Sequence, residues 1–122
     1  MKILIVDDSS TARVRISDFL SDNGYEVFEA DTGVSGIEML KKNKEIKLIF
    51  SDLNMPLMDG MSFIQSTREM KEFSHIPVII CSTEMCEELK DEAKLLGVKA
   101  WIPKPLKLGI VLSLIDKIFN RT

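Results

Sequence analysis

At 122 residues, with 45% hydrophobic and 29% charged residues, the chain is long enough to bury one core and too short for two ordinary domains. Its net charge of -3, with 16 Lys and Arg interspersed among 19 Asp and Glu, leaves no basic stripe to follow a nucleic-acid backbone, so no nucleic-acid partner is expected. The opening "MKILIVDDSS" turns acidic too early for a secretory core or a membrane span, which predicts a cytoplasmic protein with no membrane partner.

In chain order, "KILIV" (2–6) is a near-continuous apolar run, the pattern of a parallel strand covered on both faces. Ala12, Ile16, Phe19 and Leu20 then mark one helical face, and Asn23-Gly24 closes that helix. "YEVFEA" (25–30) alternates, as an edge strand does, and Gly36, Ile37 and Leu40 mark a second helical face. "KLIFS" (47–51) and "PVIIC" (77–81) are again buried-strand runs. Leu89, Ala93 and Leu96 line a further helix that ends at Gly97, and "KAWI" (99–102) is a short fifth strand. In the last helix Ile110, Val111, Leu114, Ile115 and Ile118 read as the core face. Leu108, Leu112 and Phe119 then form a second apolar stripe, expected to be a partner surface or the face of a weak dimer on an otherwise monomeric protein. Five β-α units without low-complexity linkers predict an α/β, doubly wound parallel sheet with right-handed crossovers and helices on both faces.

Such a sheet binds its ligand beyond the carboxyl ends of its strands, where the strand order reverses. The residues at those ends are Asp7 and Asp8 after the first strand, Asp52 after the third, Ser82 and Thr83 after the fourth, and Lys104 after the fifth. If the first and third strands are neighbours, three carboxylates converge, and a pair about 5 Å apart repels by about 3 kcal/mol at an effective dielectric of about 20. Oxygen donors without His or thiolate suit a hard divalent cation, Mg2+ before Zn2+. Each residue alone has an ordinary use: the aspartates can cap a helix or start a turn, and Lys104 can be solvated. Those uses give no reason for all of them to gather at one end of the sheet, and the "PKP" context aims Lys104.

A dinucleotide or flavin site after the first strand needs glycines or phosphate-binding hydroxyls and amides, and two aspartates there repel a phosphate. A phosphatase of the haloacid dehalogenase type is the nearer rival, because it forms an aspartyl phosphate beside Mg2+. It needs a second Asp two residues on as general acid, and here "DLN" places Asn54 there. Without that proton donor the acceptor is expected to be Asp52 itself.

"VDD" after the first strand, "SDLNMPLMDG" around Asp52, a hydroxyl residue ending the fourth strand and "KP" after the fifth resemble, in that order and across the whole chain, a bacterial two-component response-regulator receiver domain. The resemblance implies a flavodoxin-like (βα)5 sheet in the order 2-1-3-4-5 and one receiver domain over residues 1–122 with no output domain. It implies that a sensor histidine kinase phosphorylates Asp52, and that Asp7, Asp8 and Asp52 hold Mg2+ with the Asn54 backbone carbonyl, Mn2+ being able to substitute. Ser82, Lys104 and Trp101 are implied as the residues that contact the phosphoryl group or report it, and Asn54 and Glu84 as the residues that tune its hydrolysis. A cis peptide between Lys104 and Pro105 is also implied. The chain is then a phosphoaccepting signalling protein with its own self-phosphorylation and dephosphorylation chemistry, rather than an enzyme.

"DDSSTAR", "NMP" and "STE" look most like the chemotaxis, CheY-like type, whose phosphorylated form binds a flagellar motor switch protein. A phosphorelay intermediate that serves a His phosphotransfer domain is the alternative. Leu53 stands where the chemotaxis pattern often has Trp, "KPL" replaces the commoner "KPF", and Thr83 is larger than the Ala or Gly found in many receivers. Of the remaining reactive types, Cys81 and Cys86 read as a buried strand residue and a free thiol near a loop, and His75 as ordinary surface.

Overall fold

The computed structural model describes residues 1–55 and 57–120. Ten elements alternate as β1 (Lys2–Val6), α1 (Ser10–Asp22), β2 (Glu26–Ala30), α2 (Gly33–Lys42), β3 (Ile46–Ser51), α3 (Gly60–Glu69), β4 (Val78–Ser82), α4 (Glu87–Leu95), β5 (Val98–Pro103) and α5 (Leu108–Ile118). The strands form one parallel sheet in the order β2-β1-β3-β4-β5, as expected. β1 and β3 therefore lie side by side, and the order reverses at their carboxyl ends.

The pleat sends alternate side chains to two cores. Leu4, Val6, Ile49, Val78 and Ile80 pack with Leu40 of α2, Phe63 and Ile64 of α3 and Ala93 of α4. Ile3, Ile5, Leu48, Phe50, Ile79 and Cys81 pack with Ile16 and Leu20 of α1 and with Val111 and Ile115 of α5. Continuous apolar runs are thus required in β1, β3 and β4, whereas β2 at the edge buries only Ala30 fully. Gly24 (φ 89°) and Gly97 (φ 85°) take the left-handed conformation at the exits of α1 and α4, where a Cβ is penalised.

β4 runs one residue later than its apolar run and so carries Ser82 at its last position. α3 occupies the crossover to which no apolar face was assigned, and its buried residues are Gly60, Phe63, Ile64 and Thr67. The reading of α5 is corrected. Leu108, Leu112 and Phe119 pack partly buried against the core with Val111 and Ile115, while Ile110 is 44% exposed. At about 100° per residue, positions 108, 111, 112, 115 and 119 share one face and position 110 lies on nearly the opposite side. Val111, Leu114, Ile115 and Ile118 lie in or against the core as expected, so the second stripe widens the core face and only Ile110 of the expected core residues turns outward. Among the described residues, no helix is long and apolar enough to cross a membrane.

Candidate functional site

Asp7 follows β1 and is held at every polar atom of its backbone and side chain. Its N–H donates to the Ala30 carbonyl at 3.1 Å, and its own carbonyl accepts from Arg13 Nη1 at 2.7 Å. Its Oδ1 accepts from the Ser9 N–H at 2.9 Å, and Oδ2 lies 3.3 Å from Lys104 Nζ. Ser9 then caps α1, its Oγ accepting from the Ala12 N–H at 3.3 Å. Two consecutive aspartates therefore end a strand without disrupting the fold, because the first is absorbed by the β1–α1 turn.

Asp52, at the end of β3, is buried, and its N–H donates to the Val6 carbonyl at 2.9 Å. Its Oδ1 accepts from the Leu53 N–H at 2.7 Å, and Oδ2 lies 3.4 Å from Lys104 Nζ. Gly60 explains how the following loop can close over it: a Cβ at that position would overlap the Asp52 carbonyl oxygen, and the Gly60 N–H donates to the Leu53 carbonyl at 2.7 Å. In the same loop Leu57 is 89% exposed and left-handed, with φ 67°.

One carboxylate oxygen from each of Asp7, Asp8 and Asp52 lies within 4.8 Å of the others. Three carboxylates against one ammonium leave the cluster short of positive charge, and its hard oxygen donors fit a divalent cation such as Mg2+. Burial pushes the Asp52 carboxyl above the usual carboxylate range and the Asp7 charge adds to this, while Lys104 and the Leu53 N–H oppose it. For Lys104, burial acts downward, but Asp52 and Asp7 together outweigh it and the ammonium is held above its ordinary value. Lys104 bridges the two strand ends and stays charged there.

Ser82 is fully buried at the end of β4, beside Lys104, whose N–H donates to the Ser82 carbonyl at 3.1 Å. Its Oγ accepts from the Glu84 N–H at 3.0 Å, and the Glu84 carbonyl accepts from Trp101 Nε1 at 3.1 Å. A single residue thus joins the buried hydroxyl to the half-buried indole on β5. The Glu84 carboxylate accepts from the Met85 and Cys86 N–H groups at 3.1 and 3.0 Å, so here it closes the turn that leads into α4, a helix with no side-chain cap of its own. Asn54 and Thr83 are exposed on their loops, and the Lys104–Pro105 peptide is cis.

Every polar residue expected at the sheet end is therefore on its rim. Cys81 is buried, with its thiol pushed up to about 11 by desolvation, Cys86 is an exposed free thiol, and His75 is exposed. Arg13, Ser9 and Gly60 were missed. For Arg13 the available signal was a cation one turn into a helix, near the end where the helix dipole disfavours positive charge.

Comparison with known proteins agrees with this geometry. The family profile described as response regulator receiver domain matches residues 3–116. The chain belongs to that family. This receiver is 38% identical to chemotaxis protein CheY-3 of Vibrio cholerae over 122 residues, covering 99% of this chain and 93% of the relative. The crystallised CheY4 of Vibrio cholerae superposes with a TM-score of 0.89 at 33% identity, over 96% of this chain and 97% of the other. CheY from Borrelia burgdorferi, solved in a CheX-CheY-BeF3-Mg2+ complex, superposes with a TM-score of 0.89 at 26% identity, over 98% and 89%.

Proposed function

We propose that this receiver accepts a phosphoryl group from a histidine kinase on Asp52 and serves as a chemotaxis response regulator whose phosphorylated form docks on a flagellar motor switch protein. The observation that carries the reading is the ammonium of Lys104 set 3.3 Å from Asp7 and 3.4 Å from Asp52, on a residue whose backbone N–H donates to the carbonyl of the buried Ser82. The Asp7, Asp8 and Asp52 side chains with the Asn54 backbone carbonyl would hold Mg2+, which would neutralise charge on the transferring phosphoryl oxygens. A carboxylate oxygen of Asp52 attacks phosphorus, the P–O bond forms as the P–N bond to the donor imidazole breaks, and the imidazole takes up a proton. Lys104 is already placed to meet the new negative charge, so little reorganisation is required.

The Ser82 hydroxyl then turns to a phosphoryl oxygen. Because Ser82 Oγ and Trp101 Nε1 both bond the backbone of Glu84, that turn is felt at the indole. A partner that touches Trp101 would therefore read the state of Asp52. The chemotaxis assignment is supported by CheY relatives that match this chain along nearly its whole length. Incubation with Mg2+ and acetyl phosphate should add one acid-labile phosphoryl group by mass, and none to Asp52→Asn. Equal labelling of that variant would overturn the assignment.

A further inference from the structure

The geometry points to Arg13 as a positioning residue for the divalent cation, acting through the Asp7–Asp8 peptide rather than by touching the ion. This rests on the metal-binding reading above. Asp8 is exposed, whereas Asp7 is fixed on all sides, so the direction of the Asp8 carboxylate is inherited from the peptide that joins the two. Arg13 Nη1–H grips the carbonyl of that peptide at 2.7 Å. The grip is itself anchored. Arg13 Nε–H donates to Glu29 Oε1 of the edge strand β2 at 3.0 Å, and Glu29 Oε2 accepts from the buried Ser17 Oγ at 3.3 Å.

The chain Ser17–Glu29–Arg13–Asp7 thus ties α1 and β2 to the carbonyl that sets where Asp8 points. The Arg13 side chain is 18% exposed, which makes it a held group rather than a waving surface cation. Two of its N–H donors face two acceptors in a fixed fork, an arrangement that a lysine ammonium on a flexible stem does not reproduce. The charge of Arg13 repels a cation, but Glu29 offsets it at contact distance, so the geometric effect outweighs the electrostatic one. Groups that orient metal ligands without touching the metal typically change affinity about 10- to 100-fold when altered.

The test is Mg2+ titration by calorimetry on wild type, Arg13→Lys and Glu29→Gln, with amide hydrogen exchange of Asp8 and Ser9 followed in the metal-free proteins. Arg13→Lys keeps the charge and loses the fork, and it should weaken Mg2+ about 10-fold while Asp8 exchange quickens and the metal-free melting temperature stays close to wild type. Glu29→Gln keeps an acceptor for Arg13 but uncovers its charge, and should weaken Mg2+ by a smaller factor. Wild-type affinity in Arg13→Lys overturns the proposal, as does a fall in metal-free melting temperature with Mg2+ affinity intact, which would make Arg13 merely structural. If wild type itself binds no Mg2+, the metal-site reading falls and this proposal with it. If wild type binds and Arg13→Lys matches it, the clamp alone falls.

Discussion

Lys104 and Arg68 are both half-buried cations at opposite ends of one sheet, and their surroundings differ in kind. At the amino end, Arg68 of α3 donates to the carbonyls of Leu96 at 2.6 Å, Ile76 at 2.8 Å and Phe73 at 3.3 Å, tying α3 to the segments that lead into β4 and β5. These partners are neutral dipoles with fixed positions. Burial lowers the Arg68 pKa, but a guanidinium stays charged across the physiological range. At the carboxyl end, Lys104 faces Asp7 and Asp52, with Asp8 close by, and the negative charge is in excess. A cation satisfied by carbonyls holds a fold together, while one outnumbered by carboxylates sits in a cluster whose net charge is negative.

The sharpest way to break this contrast is Asp52→Asn. Labelling by acetyl phosphate should fall to background, and the metal-free protein should gain stability of about 1 kcal/mol at neutral pH. The sign follows from the raised folded pKa of Asp52: its stabilising contribution is full below the unfolded value near 3.8 and is lost as pH rises through the folded value. The advantage of Asn should therefore grow as pH climbs above about 4 and then level off, which chemical denaturation across that range can follow. A variant less stable than wild type at neutral pH would mean that the cluster is not under electrostatic stress.

Lys104→Met comes next. Its phosphorylation rate should fall about 100-fold, from loss of a preorganised charge, while Mg2+ binds more tightly because a competing cation has gone. Both are readable by timed mass spectrometry and calorimetry. In wild type, Lys104 has a raised folded pKa, so its contribution to stability should persist up to the unfolded value near 10.5 and disappear above it. Arg68→Met should do the reverse of Lys104→Met, costing about 2 kcal/mol of stability through the lost bonds to the Leu96, Ile76 and Phe73 carbonyls and leaving the phosphorylation rate within about twofold. If it instead slows phosphorylation while melting normally, the two ends are not functionally separate.

The smallest effect is expected at Trp101. Trp101→Phe removes the indole bond to Glu84 and should cost about 1 kcal/mol or less. In the wild-type protein, Mg2+ with beryllofluoride should change Trp emission, and Ser82→Ala should abolish that change. A response that survives in Ser82→Ala would disconnect the indole from the hydroxyl.

Much of the fold was legible because the parallel strands that are covered on both faces cannot hide their composition. "KILIV", "KLIFS" and "PVIIC" announce themselves, and the polar residues at three strand ends, Asp7 and Asp8, Asp52, and Ser82 and Thr83, follow from where those runs stop. α3 was the element least marked, since its buried face mixes Gly60 and Thr67 with Phe63 and Ile64. In α5, apolar residues occupy so much of the helix that periodicity alone did not say which stripe faces inward, and Ile110 was placed in the core when it belongs outside.

The sequence by itself determined the α/β class, the places where chemistry could sit and the type of ion that suits it, since these depend on residue type and order along the chain. Only the tertiary structure decided what each polar atom does. The Glu84 carboxylate is spent on the turn before α4, Arg13 grips the Asp7 carbonyl, and Gly60 is demanded by the Asp52 backbone lying against it. Those contacts join residues set close only by turns and by strands brought together from distant parts of the chain, and hydrogen bonds depend on distances of a few tenths of an ångström that residue order does not contain.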